Sequence, residues 1–129
     1  MSTSLLLLDP SFRPLAELLV DKIREAGIKA IVTDTLRTTQ AQHDAFLRGA
    51  SKCDGIRIKS KHQLGLAIDI CAVDARGYPS WDYAKYADTY KAIGAISKDI
   101  GLVWGGDWYP SPYEMFGLGW DSPHHELKT

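Results

Sequence analysis

Hydrophobic residues follow two different spacings along this chain, and the spacing separates helical segments from extended ones. Apolar residues recur every three or four positions through residues 15–26, which predicts an amphipathic helix. Asp9 followed by Pro10 predicts its start, as an N-cap with proline at the first helical position, and Gly27 predicts its end. A second stripe predicts a long helix over residues 81–100, with Tyr86, Tyr90, Ile93, Ser97 and Ile100 on its apolar face.

Extended segments lie between and after these helices. The β-branched residues of 28–35 predict one strand, and the patterns of 66–73, 103–108 and 123–127 predict three more. Helices followed by strands mixed with helices favour an α+β fold, with a small antiparallel sheet flanked by helices.

A short helix is predicted between the first two strands. Thr39 and Gln42 have the spacing of a capping box, and the helix that they begin is expected to end near Gly49. The polar residues 51–59 that follow predict a loop before the next strand.

The alternation in residues 66–73 places a carboxylate in an unusual position. Asp69 is predicted to share one face of the strand with Ala67 and Cys71, opposite three large apolar side chains. Burying a carboxylate there without a partner would be costly, and a bound metal ion would offset that cost. In the last predicted strand, His124 and Glu126 are expected to point to one side and His125 to the other.

Composition and charge limit the classes of function. The 129 residues are 45% hydrophobic and 24% charged, as in an ordinary globular domain, and we expect one domain over residues 1–129. A net charge of -1 argues against a nucleic-acid-binding surface. We expect a monomer. The apolar run at 5–8 is too short for a signal peptide or a membrane span, so we expect a protein made in the cytoplasm, without a signal peptide or membrane insertion. Cys53 and Cys71 are then expected to be free thiols. The alternative is an exported form whose leader has been removed.

Three short motifs carry the candidate chemistry. They read SKHQLGLAID at 60–69, WGGDW at 104–108 and DSPHHEL at 121–127. Histidine nitrogens and aspartate oxygens are common zinc ligands, and a catalytic zinc site uses three of them. Taken alone, His62 and Asp69 are better explained as a loop histidine and a strand aspartate that only form hydrogen bonds, because such spacings are common by chance.

Together and in this order, the motifs resemble the VanY/VanX-type zinc peptidases of the bacterial cell wall. That group includes D-alanyl-D-alanine carboxypeptidases, D-Ala-D-Ala dipeptidases and phage L-alanyl-D-glutamate endopeptidases. The resemblance implies a zinc site on the sheet, as in the Hedgehog/D,D-peptidase fold, with His62, Asp69 and His124 as ligands. His124 is preferred over His125 because the family's ligand directly follows the proline of the last motif.

The resemblance also implies catalytic and substrate-binding residues. Asp121 would be the general base, and Arg37 would stabilise the developing oxyanion or a substrate carboxylate. The substrate contacts would be Ser60, Gln40, Trp104 and Trp108. Read without the family, Asp121 is a turn residue before Ser122-Pro123, Arg37 is a surface residue and the tryptophans belong to the core. Glu126 is a competing candidate, either as the base or as a group that orients a ligand histidine.

These residues lead to three functional hypotheses. The first is a zinc metallopeptidase that hydrolyses an amide bond in peptidoglycan stem peptides, as an L-alanyl-D-glutamate endopeptidase of a phage or prophage endolysin. Such an enzyme would reach the cell wall after lysis or through a holin. The second is a D-alanyl-D-alanine carboxypeptidase or dipeptidase. The third, from another class, is a zinc-containing module that binds cell-wall peptide without cleaving it.

Overall fold

In the computed structural model, which describes residues 3–129, five short strands form one antiparallel sheet within that range. The strands are β1 (Ala30–Asp34), β2 (Ala67–Val73), β3 (Pro79–Ser80), β4 (Val103–Trp104) and β5 (His124–Glu126). Along the sheet the order is β1-β2-β5-β4, and β3 pairs with the end of β2. The central strand β2 therefore has β1 on one side and β5 on the other.

Three α-helices accompany the sheet. They are α1 (Arg13–Glu25), α2 (Thr39–Leu47) and α3 (Tyr83–Asp99). Single 3₁₀ turns occur at Leu5–Leu7, Gly105–Asp107 and Glu114–Phe116. Of the helices in the described part of the chain, none combines the length and apolarity needed to cross a bilayer. The predicted α+β fold with a small antiparallel sheet is confirmed.

The main core lies between one face of β2 and the helices α1 and α3. Ile68 and Ile70 of β2 pack there with Phe12, which precedes α1, and with apolar residues of both helices, namely Ala16, Leu19, Ile23 and Ile93. Burial of these side chains is the largest favourable contribution to folding. It also fixes which face of β2 is turned toward the helices, and Asp69 consequently lies on the opposite face.

A second cluster surrounds Trp104. It contains Ala72, Tyr83, Tyr90, Trp104 and Leu118. The indole of Trp104 lies against Gly94 of α3, where an added Cβ would come within 2.4 Å of the ring. Glycine at position 94 therefore allows α3 to approach the end of the sheet closely.

Two helix starts differ from the prediction. The first helix begins at Arg13 rather than at Pro10, with Pro14 in its first turn. Asp9 instead forms a turn, because its carboxylate accepts hydrogen bonds from Ser11 and its carbonyl accepts from the backbone of Phe12. Helix α2 is capped by Thr38, whose hydroxyl accepts from the backbone nitrogen of Ala41, so the predicted capping box at Thr39 and Gln42 is wrong.

The predicted strand over residues 103–108 is too long. Only Val103 and Trp104 pair with β5, and the chain then turns through the 3₁₀ segment Gly105–Asp107. The turn follows from a tight contact, since an added Cβ on Gly105 would lie 2.1 Å from the carbonyl oxygen of Asp121. Two glycines in succession permit this approach of the two segments, and it ends the strand.

Candidate metal site and its cleft

The pairing of β2 with β5 brings two of the predicted ligands together. Asp69 lies directly opposite His124 in the antiparallel pair, so both side chains project from the same face. His125 is opposite Ile68 and is fully buried. The strand register therefore places one of two adjacent histidines beside Asp69 and the other in the core.

His62 reaches the same place from the turn that precedes β2. Within this turn the backbone nitrogen of Gly65 donates to the carbonyl of His62. Gly65 has a φ of +70°, and a Cβ there would lie 2.7 Å from the backbone nitrogen of Asp9. Only glycine suits both the left-handed backbone and this close packing, so Gly65 helps to fix the position of His62.

The three side chains form a compact set of donor atoms. Asp69 Oδ1 lies 3.2 Å from His62 Nε2 and 3.5 Å from His124 Nδ1. One donor atom from each residue lies within 4.8 Å of the others, a spacing that can hold a metal ion. Two imidazoles and one carboxylate are a donor set that zinc binds readily, and a fourth position would stay open.

The outer nitrogen of each histidine is already engaged. His62 Nδ1 lies 2.9 Å from the carbonyl oxygen of Thr35, and His124 Nε2 lies 2.8 Å from Glu126 Oε1. Such partners fix the ring orientation and the tautomer of a metal-binding histidine. Glu126 is also 3.8 Å from Lys61 Nζ. Of the two roles considered for Glu126, this position fits the orienting group and not the base.

The electrostatics of the cluster favour a cation at its centre. Burial alone would lower the pKa of His124, but hydrogen bonds to Asp69 and Glu126 raise it to about 10. Burial would raise the pKa of Asp69, and the neighbouring His62 and His124 instead hold it well below its usual range. The carboxylates that stabilise the protonated form of His124 would stabilise a bound metal ion in the same way.

Asp121 lies beside the cluster without being part of it. Its Oδ2 is 3.8 Å from His124 Nδ1, and its side chain is one-third exposed. Its carbonyl oxygen accepts a hydrogen bond from the backbone nitrogen of His124, so the residue also forms the turn before β5. Burial and the charge of Asp69 raise the pKa of Asp121 to about 6. A carboxylate with a raised pKa near neutrality is suited to exchanging protons.

Arg37 approaches the cluster from the loop after β1. Its Nε and Nη2 donate to Asp34 Oδ2 at 3.0 and 2.5 Å, and its Nη1 donates to Gln42 Oε1 at 2.6 Å. Nη2 is also 3.9 Å from Asp69 Oδ2. An irregularity in the pairing of β1 and β2 sets Asp34 opposite Asp69, and the guanidinium offsets the repulsion between these two carboxylates. Arg37 is thus held rigidly with its charge directed toward the candidate metal site.

The two tryptophans predicted to contact substrate lie in different places. The ring centroid of Trp108 lies 5.0 Å from that of His124, with the two rings tilted by 43°, so Trp108 borders the cluster. Trp104 does not, because its indole is buried in the core and its Nε1 donates to the carbonyl of Ser122 at 2.7 Å. Trp104 therefore takes the core position that was the alternative interpretation of this motif.

Ser60 and Gln40 are engaged within the protein. The buried Ser60 stabilises the turn before His62, with its hydroxyl accepting from the backbone nitrogen of Gln63 at 3.4 Å. Gln40 is exposed on α2 and donates to Asp44 at 2.9 Å. The glutamine that contacts Arg37 is Gln42, two residues further along the same helix.

A cleft of about 980 Å³ opens from the cluster toward solvent. Its lining includes Arg37, Asp69 and Asp121 from the prediction. It also includes residues that sequence reasoning missed, among them Asp34, Arg48, Lys52, Tyr113 and Trp120. Their spacing gave no signal, since they come from four separate segments that meet only in the folded chain.

Comparison with known sequences relates this chain to cell-wall peptidases. The family model described as D-alanyl-D-alanine carboxypeptidase matches residues 54–127. The L-alanyl-D-glutamate peptidase of Listeria phage A118 is 34% identical over 94 residues, which are 72% of this chain and 31% of that protein. The peptidoglycan L-alanyl-D-glutamate endopeptidase CwlK of Bacillus subtilis is 27% identical over 111 residues, covering 78% of this chain and 66% of CwlK. The chain thus spans less than two thirds of the length of either relative.

Solved structures share the fold. The L-Ala D-Glu endopeptidase ChiX of Serratia marcescens superposes with a TM-score of 0.65 at 25% identity, covering 96% of this chain and 83% of ChiX. A mutant of the vancomycin resistance D,D-pentapeptidase VanY, in complex with Zn(II), superposes with a TM-score of 0.64 at 23% identity. The VanY alignment covers 93% of this chain and 72% of VanY.

Proposed function

The chain belongs to the D-alanyl-D-alanine carboxypeptidase family, whose model it matches over residues 54–127, and on this premise we propose that it is a zinc metallopeptidase of peptidoglycan stem peptides. One observation carries the proposal: His62, Asp69 and His124 converge within 4.8 Å, and Asp121 faces them from the same cleft. A non-catalytic binding module would not need a carboxylate in that position.

The bond that we propose is cleaved joins L-alanine to D-glutamate. Both curated relatives and the ChiX structure carry this specificity in their names. A second candidate is the D-alanyl-D-alanine bond, which the description of the family model and the fold of VanY favour. Because one relative comes from a phage, we also propose that the protein acts on the wall after release from the cell by lysis.

His62, Asp69 and His124 would hold the metal through Nε2, a carboxylate oxygen and Nδ1. When bound, zinc supplies a Lewis acid for the scissile carbonyl and lowers the pKa of water in the site. Thr35 and Glu126 hold the two imidazoles in the orientation that this binding requires.

Asp121 would transfer the proton, and Arg37 would stabilise the negative charge that develops on the carbonyl oxygen. Asp121 takes the proton from the attacking water and delivers it to the leaving amine nitrogen, as its raised pKa allows. Arg37, fixed by Asp34 and Gln42, directs positive charge at the carbonyl oxygen as negative charge develops on it. Because Arg37 is fixed before substrate binds, little reorganisation accompanies the reaction.

The test is mass spectrometry of the products from purified peptidoglycan, with and without a zinc chelator. New amino termini at D-glutamate, lost on chelation and restored by zinc, are the expected result. Release of free D-alanine would move the protein to the second candidate. Zinc binding without any cleavage would contradict the proposal and favour a binding module.

The variant Asp121→Asn separates catalysis from metal binding. It should lower turnover by about 10²- to 10⁴-fold, the usual contribution of a general base, while zinc content stays at the wild-type level. Turnover that survives the substitution would show that Asp121 is not the base.

A further inference from the structure

Two cations line the same cleft as the candidate metal site but take no part in it. Arg48 lies at the end of α2, and Lys52 follows in the next loop. Both are exposed, and among residues 3–129 neither makes an ion pair with a carboxylate. Asp44 lines the cleft nearby, but its carboxylate accepts a hydrogen bond from Gln40. These cations are therefore available to an anionic ligand.

Lys52 is connected to the candidate metal site by a row of aromatic rings. Its Nζ lies 4.5 Å over the ring of Trp120, a distance typical of a cation–π contact. The ring centroid of Trp120 lies 5.1 Å from that of Trp108, and the centroid of Trp108 lies 5.0 Å from that of His124. Lys52 and Trp120 line the cleft together with Asp69 and Asp121, so the ammonium group of Lys52 shares one cleft with the candidate metal site.

The backbone on both sides of Lys52 is held by a buried amide. Gln42, which is fully buried, donates from Nε2 to the hydroxyl of Ser51 and to the carbonyl of Cys53, both at 2.7 Å. The same side chain accepts a hydrogen bond from Arg37 through Oε1. One glutamine thus fixes both Arg37 and the segment that carries Lys52. It therefore sets the spacing between Arg37 and Lys52.

We propose that Lys52, with Arg48 in the same cleft, binds a carboxylate of the peptide substrate, so that the cleft selects acidic peptides. The proposal rests on the proposed function and adds a determinant of specificity to it. A glutamyl residue inside a peptide uses one carboxyl group for the next amide bond and keeps the other as a free anion. A lysine ammonium recognises such an anion as a point charge with three hydrogen-bond donors.

The experiment compares two synthetic peptides with the same L-alanyl-D-glutamyl bond. In one, the free carboxyl group of the glutamate is a carboxylate, and in the other it is a carboxamide. The values of kcat and KM are measured for both peptides with the zinc-loaded wild type, Lys52→Met, Lys52→Arg and Lys29→Met. Lys29 is an exposed lysine outside the cleft and serves as the matched control.

The wild type should prefer the carboxylate peptide by about tenfold in kcat/KM, as expected for one charged hydrogen bond at a partly solvated site. Lys52→Met should remove this preference by raising KM for the carboxylate peptide alone. Lys52→Arg should keep most of the preference, and Lys29→Met should behave as the wild type. Equal effects of Lys52→Met on both peptides, or none on either, would overturn the proposal.

Calorimetric titration of the same peptides distinguishes failure of this subsite from failure of the proposed function. Cleavage of both peptides by the wild type with equal efficiency would disprove the subsite and leave the peptidase function standing. Tighter binding of the carboxylate peptide without cleavage, abolished in Lys52→Met, would support the subsite while the proposed function fails. Absence of both binding and cleavage would contradict both.

Discussion

His124 and His125 are neighbours in the chain, yet they lie in two regions of opposite character. His124 faces Asp69, Asp121 and Glu126 on the cleft side of β5, where its pKa is raised to about 10 by hydrogen bonds that overcome burial. His125 lies on the core side, where its Nδ1 is 2.8 Å from the hydroxyl of Ser97. Burial and the charge of His124 lower the pKa of His125 to about 3.

The difference shows that the environment, and not the residue type, decides what an imidazole does here. On the cleft side, the carboxylates of Asp69, Asp121 and Glu126 lie within 4 Å of the His124 ring nitrogens and favour positive charge. On the core side, the neutral ring fills space between β5 and α3, and its Nε2 has no hydrogen-bond partner in the described part of the chain. One region therefore has electrostatics that favour a cation, and the other is packed as core.

Replacing His124 by alanine should have the largest effect on activity. The variant loses one of three candidate zinc ligands, and activity should fall by at least about 10³-fold, since metal polarisation supplies several kcal/mol to such reactions. Atomic absorption on the purified protein checks the zinc content, and added zinc should no longer raise the melting temperature. A variant that kept full zinc occupancy and turnover would show that His124 is not a ligand.

Glu126→Gln tests the orienting role with a smaller change. The amide retains the shape of the side chain but not its charge, so zinc affinity should fall by about 10- to 100-fold, as for other groups that support a ligand histidine. Competition against a zinc indicator measures this affinity. At saturating zinc the variant should recover most of its turnover, and failure to recover would instead assign Glu126 to proton transfer.

His125→Ala should affect stability and leave zinc binding in place. The substitution creates a cavity in the core and removes the partner of the Ser97 hydroxyl, so we expect a loss of about 2–4 kcal/mol in the free energy of unfolding. Urea denaturation of the zinc-free protein measures it. The increase in melting temperature on adding zinc should match that of the wild type. If zinc no longer raised the melting temperature, the core side of β5 would be coupled to zinc binding on the cleft side.

Much of the fold and of the cluster could be predicted from the chain. The alternation in 66–73 correctly separated Asp69 from Ile68 and Ile70, because a strand with one face in the core fixes its own orientation. The same parity argument separated His124 from His125. Helix α1 was placed by its apolar spacing, although its first residue was misplaced, since Asp9 forms a local turn that competes with capping.

The surroundings of the cluster could not be predicted in this way. Nothing in the local pattern distinguishes Gln42, which holds Arg37, from Gln40, which is exposed on the same helix. Trp104 and Trp108 share one motif, yet the 3₁₀ turn between them sends one indole into the core and leaves the other beside His124. Partners of this kind depend on which distant segments meet.

The sequence by itself determined the periodicity of the elements and the faces of β2 and β5. These properties are local, because they follow from backbone geometry and from the side chain at each position. Only the tertiary structure decided the distances among the donors, the partners of Arg37 and the row of aromatic rings from His124 to Lys52. Those properties arise from long-range packing, in which side chains far apart in sequence compete for the same buried space.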